Sequence, residues 1–427
     1  MTIHVVQSGD TLTSIAQNAG VDAARLAADN GLTLATPLAV GQALVILTPA
    51  ETYTVRSGDS LFTIAQRFGV PVDQLWRNNP ALNGGTALTP GEVLVIRYTD
   101  TPRGTLTVNG YAYPFIDREV LRRTLPYLTW LTVFTYGFTP DGTLIQPDDT
   151  EVVQIAREYG VAPVLLLSTL TDEGVFSNEL ASALLRDPAL QEVVMDQVLS
   201  VMLAKGYRGM DIDFEYVLPE DAEAYARFVQ YAADRLTDAG YFSVVSLAPK
   251  TSADQTGLLY ESHNYGALGN AADYAFLMTY EWGYTYGPSM AVAPLDKVRQ
   301  VLSYAVTEIA PDTLLMGIPN YAYDFTLPYV RGESEATSLS NVAAVALAVE
   351  KGADIAFDPV AQAPFFQYTD ENGAVHEVWF QDARSVEASL ALAQEFNLTG
   401  VGYWNVMRWF PQNWLVLNSR YQILKSL

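Results

Sequence analysis

Two stretches near the start of the chain repeat one pattern of apolar and polar positions. "HVVQSGDTLTSIAQNAGV", beginning at His4, aligns without gaps on "YTVRSGDSLFTIAQRFGV", beginning at Tyr53, a period of 49 residues. Each copy opens on a short alternating strand, turns through Ser-Gly-Asp and enters a helix whose apolar residues, Leu12, Ile15 and Ala16 in the first copy, recur at helical spacing. "DAARLAADNG" and "VDQLWRNNPAL" read as second helices, and "GQALVIL" and "GEVLVIR" as closing strands. The pattern predicts two strand-helix-helix-strand (βααβ) modules, over residues 1–48 and 51–98.

After a short linker, "TDTPRG", the pattern changes, and residues 104–427 read as one α/β domain. Its strands are predicted at "TLTVNGY", "LTVFTYG", "APVLLLS", "GMDIDFE", "YFSVVSLA", "YAFLMTY", "LLMGIPN" and "GVGYWN". Most of these are near-continuous apolar runs, as parallel strands buried on both faces must be. Between them lie segments of helical periodicity such as "DPALQEVVMDQVLSVMLAKG" and "EDAEAYARFVQYAADRLTDAG". Eight such strand-helix alternations predict a (β/α)₈ TIM barrel, whose active site belongs at the C-terminal ends of the strands. One long interruption, about 321–382, contains a helical stretch, "NVAAVALAVEKG", and a hairpin-like "PFFQYTDENGAVHEVWFQD". It reads as a small α+β insertion forming one wall of the cleft.

The fourth predicted strand places Asp211, Asp213 and Glu215 at every second position among apolar residues. On a strand that spacing points all three carboxylates one way, which in a barrel is inward, with Glu215 at the C-terminal rim. Like charges sharing one desolvated direction repel, so water, a cation or chemistry has to justify them. A solvated face fits poorly with Gly209, Met210, Ile212 and Phe214. A Mg²⁺ or Ca²⁺ site would use such acids, but the glycine of a calcium loop is missing and no His is near. Acid catalysis is the favoured reading: a proton shared within the crowded set keeps one carboxyl neutral near neutral pH, as a general acid requires.

Composition narrows the partners. The chain has 427 residues, 17% of them charged, with a formal net charge of -24. That charge works against nucleic acid and against an anionic membrane surface, and makes a neutral polymer a better substrate than a polyanion. There is no Cys, hence no disulfide or thiol nucleophile, and the three histidines, His4, His263 and His376, do not cluster. No cofactor or metal is expected. The start "MTIHVVQSGDTL" lacks a basic segment followed by an apolar run, and no stretch of about 18 apolar residues occurs, so neither a signal peptide nor a membrane span is expected.

The two front copies resemble LysM modules, through the Ser-Gly-Asp-Ser/Thr-Leu start and the Asn-Pro and Gly-Glu/Gln-x-Leu elements. The resemblance implies binding of N-acetylglucosamine-containing glycans in a groove between the strand-helix turn and the loop after the second helix. The first copy has "DNGLTL" in place of the Asn-Pro step. Two modules on one chain would reinforce each other by making the second binding event intramolecular.

"GMDIDFE" resembles the Asp-x-x-Asp-x-Asp-x-Glu signature of glycoside hydrolase family 18, the chitinase family. "LMTYEWG" is similar to that family's Met-x-Tyr-Asp motif, "GIPNYAYDF" to its Gly-x-Pro-x-Tyr element and "GVGYWN" to its eighth-strand tryptophan. The resemblance implies that Glu215 protonates the leaving-group oxygen, that Asp213 orients the substrate acetamido group with support from Asp211, and that Tyr280 donates to the acetamido carbonyl. It further implies that Trp404 floors the distorted sugar and that Met278, Glu281 and Tyr321 line the subsite. Two positions depart from the pattern: Arg208 stands at the first Asp, and Glu281 at the Asp of the sixth-strand motif.

With "MTYEWGYTYGPSMAVAPL" and the N-terminal modules, the chain is similar to spore-associated family 18 N-acetylglucosaminidases that degrade cortex peptidoglycan during germination. A partner glycan of peptidoglycan or chitin and a spore-associated or cell-wall location are the implied expectations. The alternatives are a chitinase and an inactive glycan-binding barrel.

Overall fold

The structure, a computed structural model, describes residues 1–171 and 173–426; the expected end of the barrel region at 427 lies outside them. In the first module, strand Thr2–Val5 pairs antiparallel with Ala43–Ile46, and helices Leu12–Ala19 and Ala23–Asp29 cover one face. In the second, Pro49–Thr54 pairs with Val93–Tyr98 beneath helices Leu61–Phe68 and Val72–Asn78. Local chemistry fixes the first helix of each. Thr11 and Ser14, and likewise Ser60 and Thr63, form reciprocal capping boxes, and Gly20 and Gly69 end the helices at φ 68° and 62°.

One buried asparagine then ties the second helix of each module to its closing strand. Asn30 donates to Leu26 O and Val45 O and accepts from Val45 N–H, all within 2.9 Å. Asn79 repeats the fork, donating to Leu75 O and Val95 O and accepting from Val95 N–H. The first copy therefore keeps the working residue of the Asn-Pro step, with Gly31 in place of Pro80.

The barrel strands are β1 (Gly104–Ala112), β2 (Trp130–Phe138), β3 (Ala162–Ser168), β4 (Gly209–Asp213), β5 (Phe242–Leu247), β6 (Tyr274–Leu277), β7 (Leu314–Pro319) and β8 (Gly400–Trp404). All pair in parallel with their neighbours in chain order, and β8 pairs with β1, closing the barrel. The outward residues Met210, Ile212 and Phe214 pack under the surrounding helices, Phe214 stacking on Tyr225 and Phe228 of helix Ala222–Asp238. Asp211 and Asp213 are thereby turned inward, as the alternation predicts. Arg208 is exposed at the N-terminal end of β4, on the opposite side of the barrel from the rim where Glu215 sits.

Between β7 and β8 the insertion forms a five-stranded antiparallel sheet in the order Thr337–Leu339, Ala322–Leu327, Val375–Trp379, Ala363–Thr369, Ala356–Asp358, with helix Asn341–Lys351 against it. The expected helix and hairpin are present. The three further strands, three to six residues long, carry too little pattern of their own and are specified by their pairing.

The modules do not hang from the linker. Module one buries Gly41 against the insertion, where Ile355 N–H donates to Val40 O at 2.8 Å, and Gln412 donates to Ala43 O at 2.6 Å. Module two receives the Tyr127 hydroxyl on Arg77 O (3.0 Å) and the Tyr159 hydroxyl on Gly84 O (2.6 Å), with Lys425 beside Asp73. Arg25 of the first module donates to Asn79 and Tyr98 of the second.

Candidate active site

Strand β4 delivers Asp211 and Asp213 into the barrel, but it ends at Asp213, so Glu215 sits in the first turn beyond the strand. Asp211 is fully buried and accepts from the Tyr111 hydroxyl of β1 at 2.8 Å and from the Ser246 hydroxyl of β5 at 3.0 Å. Burial pushes its carboxyl up to about 6, against the pull of those two bonds. Asp213 is buried as well, yet its Oδ1 has no hydrogen-bond partner. Burial, then the charges of Glu215 and Asp211, hold its pKa well above the carboxylate range. Glu215 is half-buried, and burial followed by the nearby charge of Glu281 raises it too. All three carboxyls are thus shifted toward the protonated form, burial being the first cause at each.

The segment after β6 supplies the opposite wall. Strand β6 ends at Leu277, and the chain is then held by Met278 N–H donating to Leu247 O (3.0 Å) and the Thr279 hydroxyl donating to Gly317 O (2.7 Å). Tyr280 turns inward over Gly317, where a β-carbon would lie 2.7 Å from its ring, so glycine on β7 makes room for it. Burial, then the carboxylates around it, keep its hydroxyl protonated. Glu281 occupies the left-handed region at φ 64° and accepts hydrogen bonds from Tyr321 and Tyr323 of the insertion. Trp404, at the end of β8, stands half-buried against Phe134 (5.1 Å) and Tyr111 (5.8 Å).

Two lobes open on this rim. One, of about 400 Å³, is lined by Trp404, Tyr321, Tyr323, Tyr113, Asn320 and Arg408; the other, of about 600 Å³, by Glu215, Tyr216, Tyr260, Met278, Tyr280 and Trp282. Glu281 lines both and marks their junction. Of the eight residues singled out in the sequence, six line the lobes; Asp211 and Asp213 lie inside the barrel on the strand that leads to Glu215. Sequence reasoning missed Tyr111, Ser246 and Tyr113. Tyr111 and Ser246 stand on predicted strands, but only the barrel register aims them at Asp211. Among the described residues no three His, Asp or Glu side chains converge as a metal site.

A closed parallel barrel that brings acids from β4 to a two-lobed aromatic cleft is the architecture of a glycoside hydrolase. Comparison with known proteins places it within that class. The family model for glycosyl hydrolases family 18 matches residues 169–408, and the LysM domain model matches residues 4–47 and 53–97. The chain belongs to glycosyl hydrolases family 18, with two LysM domains in front of the barrel. It is 38% identical to the cortical fragment-lytic enzyme of Bacillus anthracis over 434 residues, covering 99% of each chain. Among solved structures it is similar to the spore cortex-lytic enzyme SleL of Bacillus cereus, with a TM-score of 0.84, 38% identity, and 99% of this chain and 98% of that one covered. The SleL structure from Bacillus megaterium QM B1551 matches with a TM-score of 0.84 and 36% identity, covering 100% and 99%.

Proposed function

We propose that this glycoside hydrolase cleaves the β-1,4 bonds that follow N-acetylglucosamine in spore-cortex peptidoglycan, with retention and with the substrate's own acetamido group as nucleophile. The observation that carries the reading is Asp213: a buried carboxylate with an unpartnered oxygen beside a half-buried glutamate whose pKa is raised. A substrate acetamido N–H supplies the missing partner. Glu215, protonated, gives its proton to the glycosidic oxygen as the acetamido oxygen closes on the anomeric carbon, then returns as base for the incoming water. Asp211 backs Asp213 from beneath, and Tyr280 donates to the acetamido carbonyl. Trp404 offers a flat apolar surface to the sugar at the junction of the lobes, where Met278, Glu281 and Tyr321 form the surrounding wall.

The cortex assignment is supported by relatives whose names give cortex as what they degrade and which match this chain over its length. It carries with it a spore-associated location. The LysM domains would hold the glycan. In support, Phe62 stands 68% exposed on the first turn of the second module's helix, next to its Ser-Gly-Asp turn.

The test is the product spectrum from purified cortex fragments and from chitin oligomers, with the wild type and Glu215→Gln side by side. Cortex products ending in reducing N-acetylglucosamine, lost in the variant, are the expected result. Turnover of chitin alone would keep the mechanism and move the substrate; binding without cleavage would make the protein a lectin and defeat the assignment.

A further inference from the structure

Glu215 lies two residues past the end of β4, and the ladder that ties β4 to β5 stops earlier still, with Ile212 opposite Val245. On the β5 side, therefore, no sheet hydrogen bond fixes the backbone that carries the proposed acid. One side chain occupies that gap. His263 is fully buried; its Nδ1 accepts from Ala248 N–H at 3.0 Å, and its Nε2 faces the main-chain carbonyl of Glu215 at 3.3 Å. The partners settle the tautomer, because an amide N–H only donates and a carbonyl only accepts: the proton is on Nε2.

The groups around the ring keep it neutral. Burial holds the imidazole down to about 4, opposed by the carbonyls of Glu215 and Phe214 and reinforced by the Lys250 ammonium. Lys250 is itself buried, donating to Ala253 O, and the Tyr225 ring lies edge-on at 6.0 Å. Near neutral pH the ring is therefore uncharged, and the bridge from Ala248 through the imidazole to the Glu215 carbonyl is one of neutral groups.

We propose that His263 is the positioning residue for Glu215, clamping the turn after β4 to the end of β5 so that the carboxyl stands at a fixed height in the cleft. The inference rests on the reading of Glu215 as the acid. It is tested by two amides that each keep half of the bridge. In His263→Gln the amide nitrogen takes the place of Nε2 and still donates to Glu215; in His263→Asn the amide oxygen takes the place of Nδ1, so only the Ala248 bond survives. On whichever of cortex fragments or chitin oligomers the wild type cleaves, His263→Asn is expected to lose about 10- to 100-fold in kcat with KM within about twofold, while His263→Gln stays within about threefold of wild type. Equal kcat in the two variants, whether both retained or both lost, overturns the proposal.

Should either variant fail to fold, nitrogen chemical shifts of His263 in the wild type decide instead. A neutral ring protonated on Nε2 from pH 5 to 8 is expected, and the other tautomer or a titration in that range overturns it. Glu215→Gln is assayed alongside. If that variant is inactive while both His263 variants are unimpaired, only the positioning role fails; if it is fully active, the acid reading fails and takes this inference with it.

Discussion

The LysM modules and strand β4 both bury polar side chains, and they treat them in opposite ways. Asn30 and Asn79 are buried with their amides fully engaged, each making three bonds to the backbone it joins. Asp213 is buried to the same degree with Oδ1 unpaired, and it faces two further carboxyls. A satisfied buried group holds structure together; an unsatisfied one costs stability in the free protein and becomes useful when a ligand completes it. The modules are built on the first kind, and the candidate active site sets one group of the second kind, Asp213, beside the satisfied Asp211.

The sharpest way to break that contrast is at the proposed acid. Glu215→Gln is expected to lower kcat about 10³-fold or more, within the range that a general acid supplies, while the melting temperature stays at or above that of the wild type. Unchanged turnover on every substrate would dissolve the distinction drawn for β4.

Asp213→Asn is the next largest. It should lose about 10²-fold in kcat and gain stability, and the gain should depend on pH. A carboxyl whose folded-state pKa is raised binds its proton more tightly when folded, so its ionisation imposes no cost below the ordinary carboxylate range. The cost grows as pH rises past about 4 through the raised value. The melting-temperature advantage of Asp213→Asn over wild type should therefore be small at pH 4 and larger at pH 7. An advantage that shrinks with rising pH would contradict the assignment.

In the modules the same kind of truncation should act the other way. Asn79→Ala leaves Val95 N–H and two carbonyls without their partner and is expected to destabilise the second module by about 3 kcal/mol. Limited proteolysis should then cut within residues 49–98 while turnover of short soluble oligomers persists. A loss of that turnover would show the module to be part of the catalytic unit.

The smallest effect separates the modules from each other. Gly41 and Gly91 hold corresponding turns at φ 84° and 93°, so alanine strains both by about 1 kcal/mol. Only at Gly41 would the new β-carbon meet another part of the chain, 1.9 Å from Ile355 O; nothing lies within 4 Å at Gly91. Gly41→Ala should therefore cost more in thermal melting than Gly91→Ala, and should loosen module one from the insertion in hydrogen exchange. Equal costs would mean that the docking of module one contributes little.

Much of this molecule was legible beforehand. The repeat, the eight apolar strand runs set between segments of period 3.6, and the acidic row of period 2 are patterns that a chain displays along its own length. Glu215 could be named because it ends the acidic alternation of a predicted strand, whereas Tyr280, Glu281, Tyr321 and Trp404 were named through the resemblance of their motifs to family 18. What was not legible depends on neighbours far away in sequence. Nothing around Tyr111 or Ser246 marks them as the hydroxyls that hold Asp211, since one lies 100 residues before it and the other 35 after. His263, read only as an isolated histidine, gained its role from a loop that folds back onto the end of β4.

The sequence by itself determined the class of each part: two repeated βααβ modules, a parallel barrel, and a strand whose alternation forces carboxylates inward. Only the tertiary structure decided which of those carboxylates is satisfied, which hydroxyls and imidazole support them, and that the modules dock on the barrel instead of trailing from it. The reason is physical. Alternation and capping are properties of consecutive residues, whereas hydrogen-bond satisfaction in a barrel is set by the shear and register of strands that meet only after the chain has closed on itself.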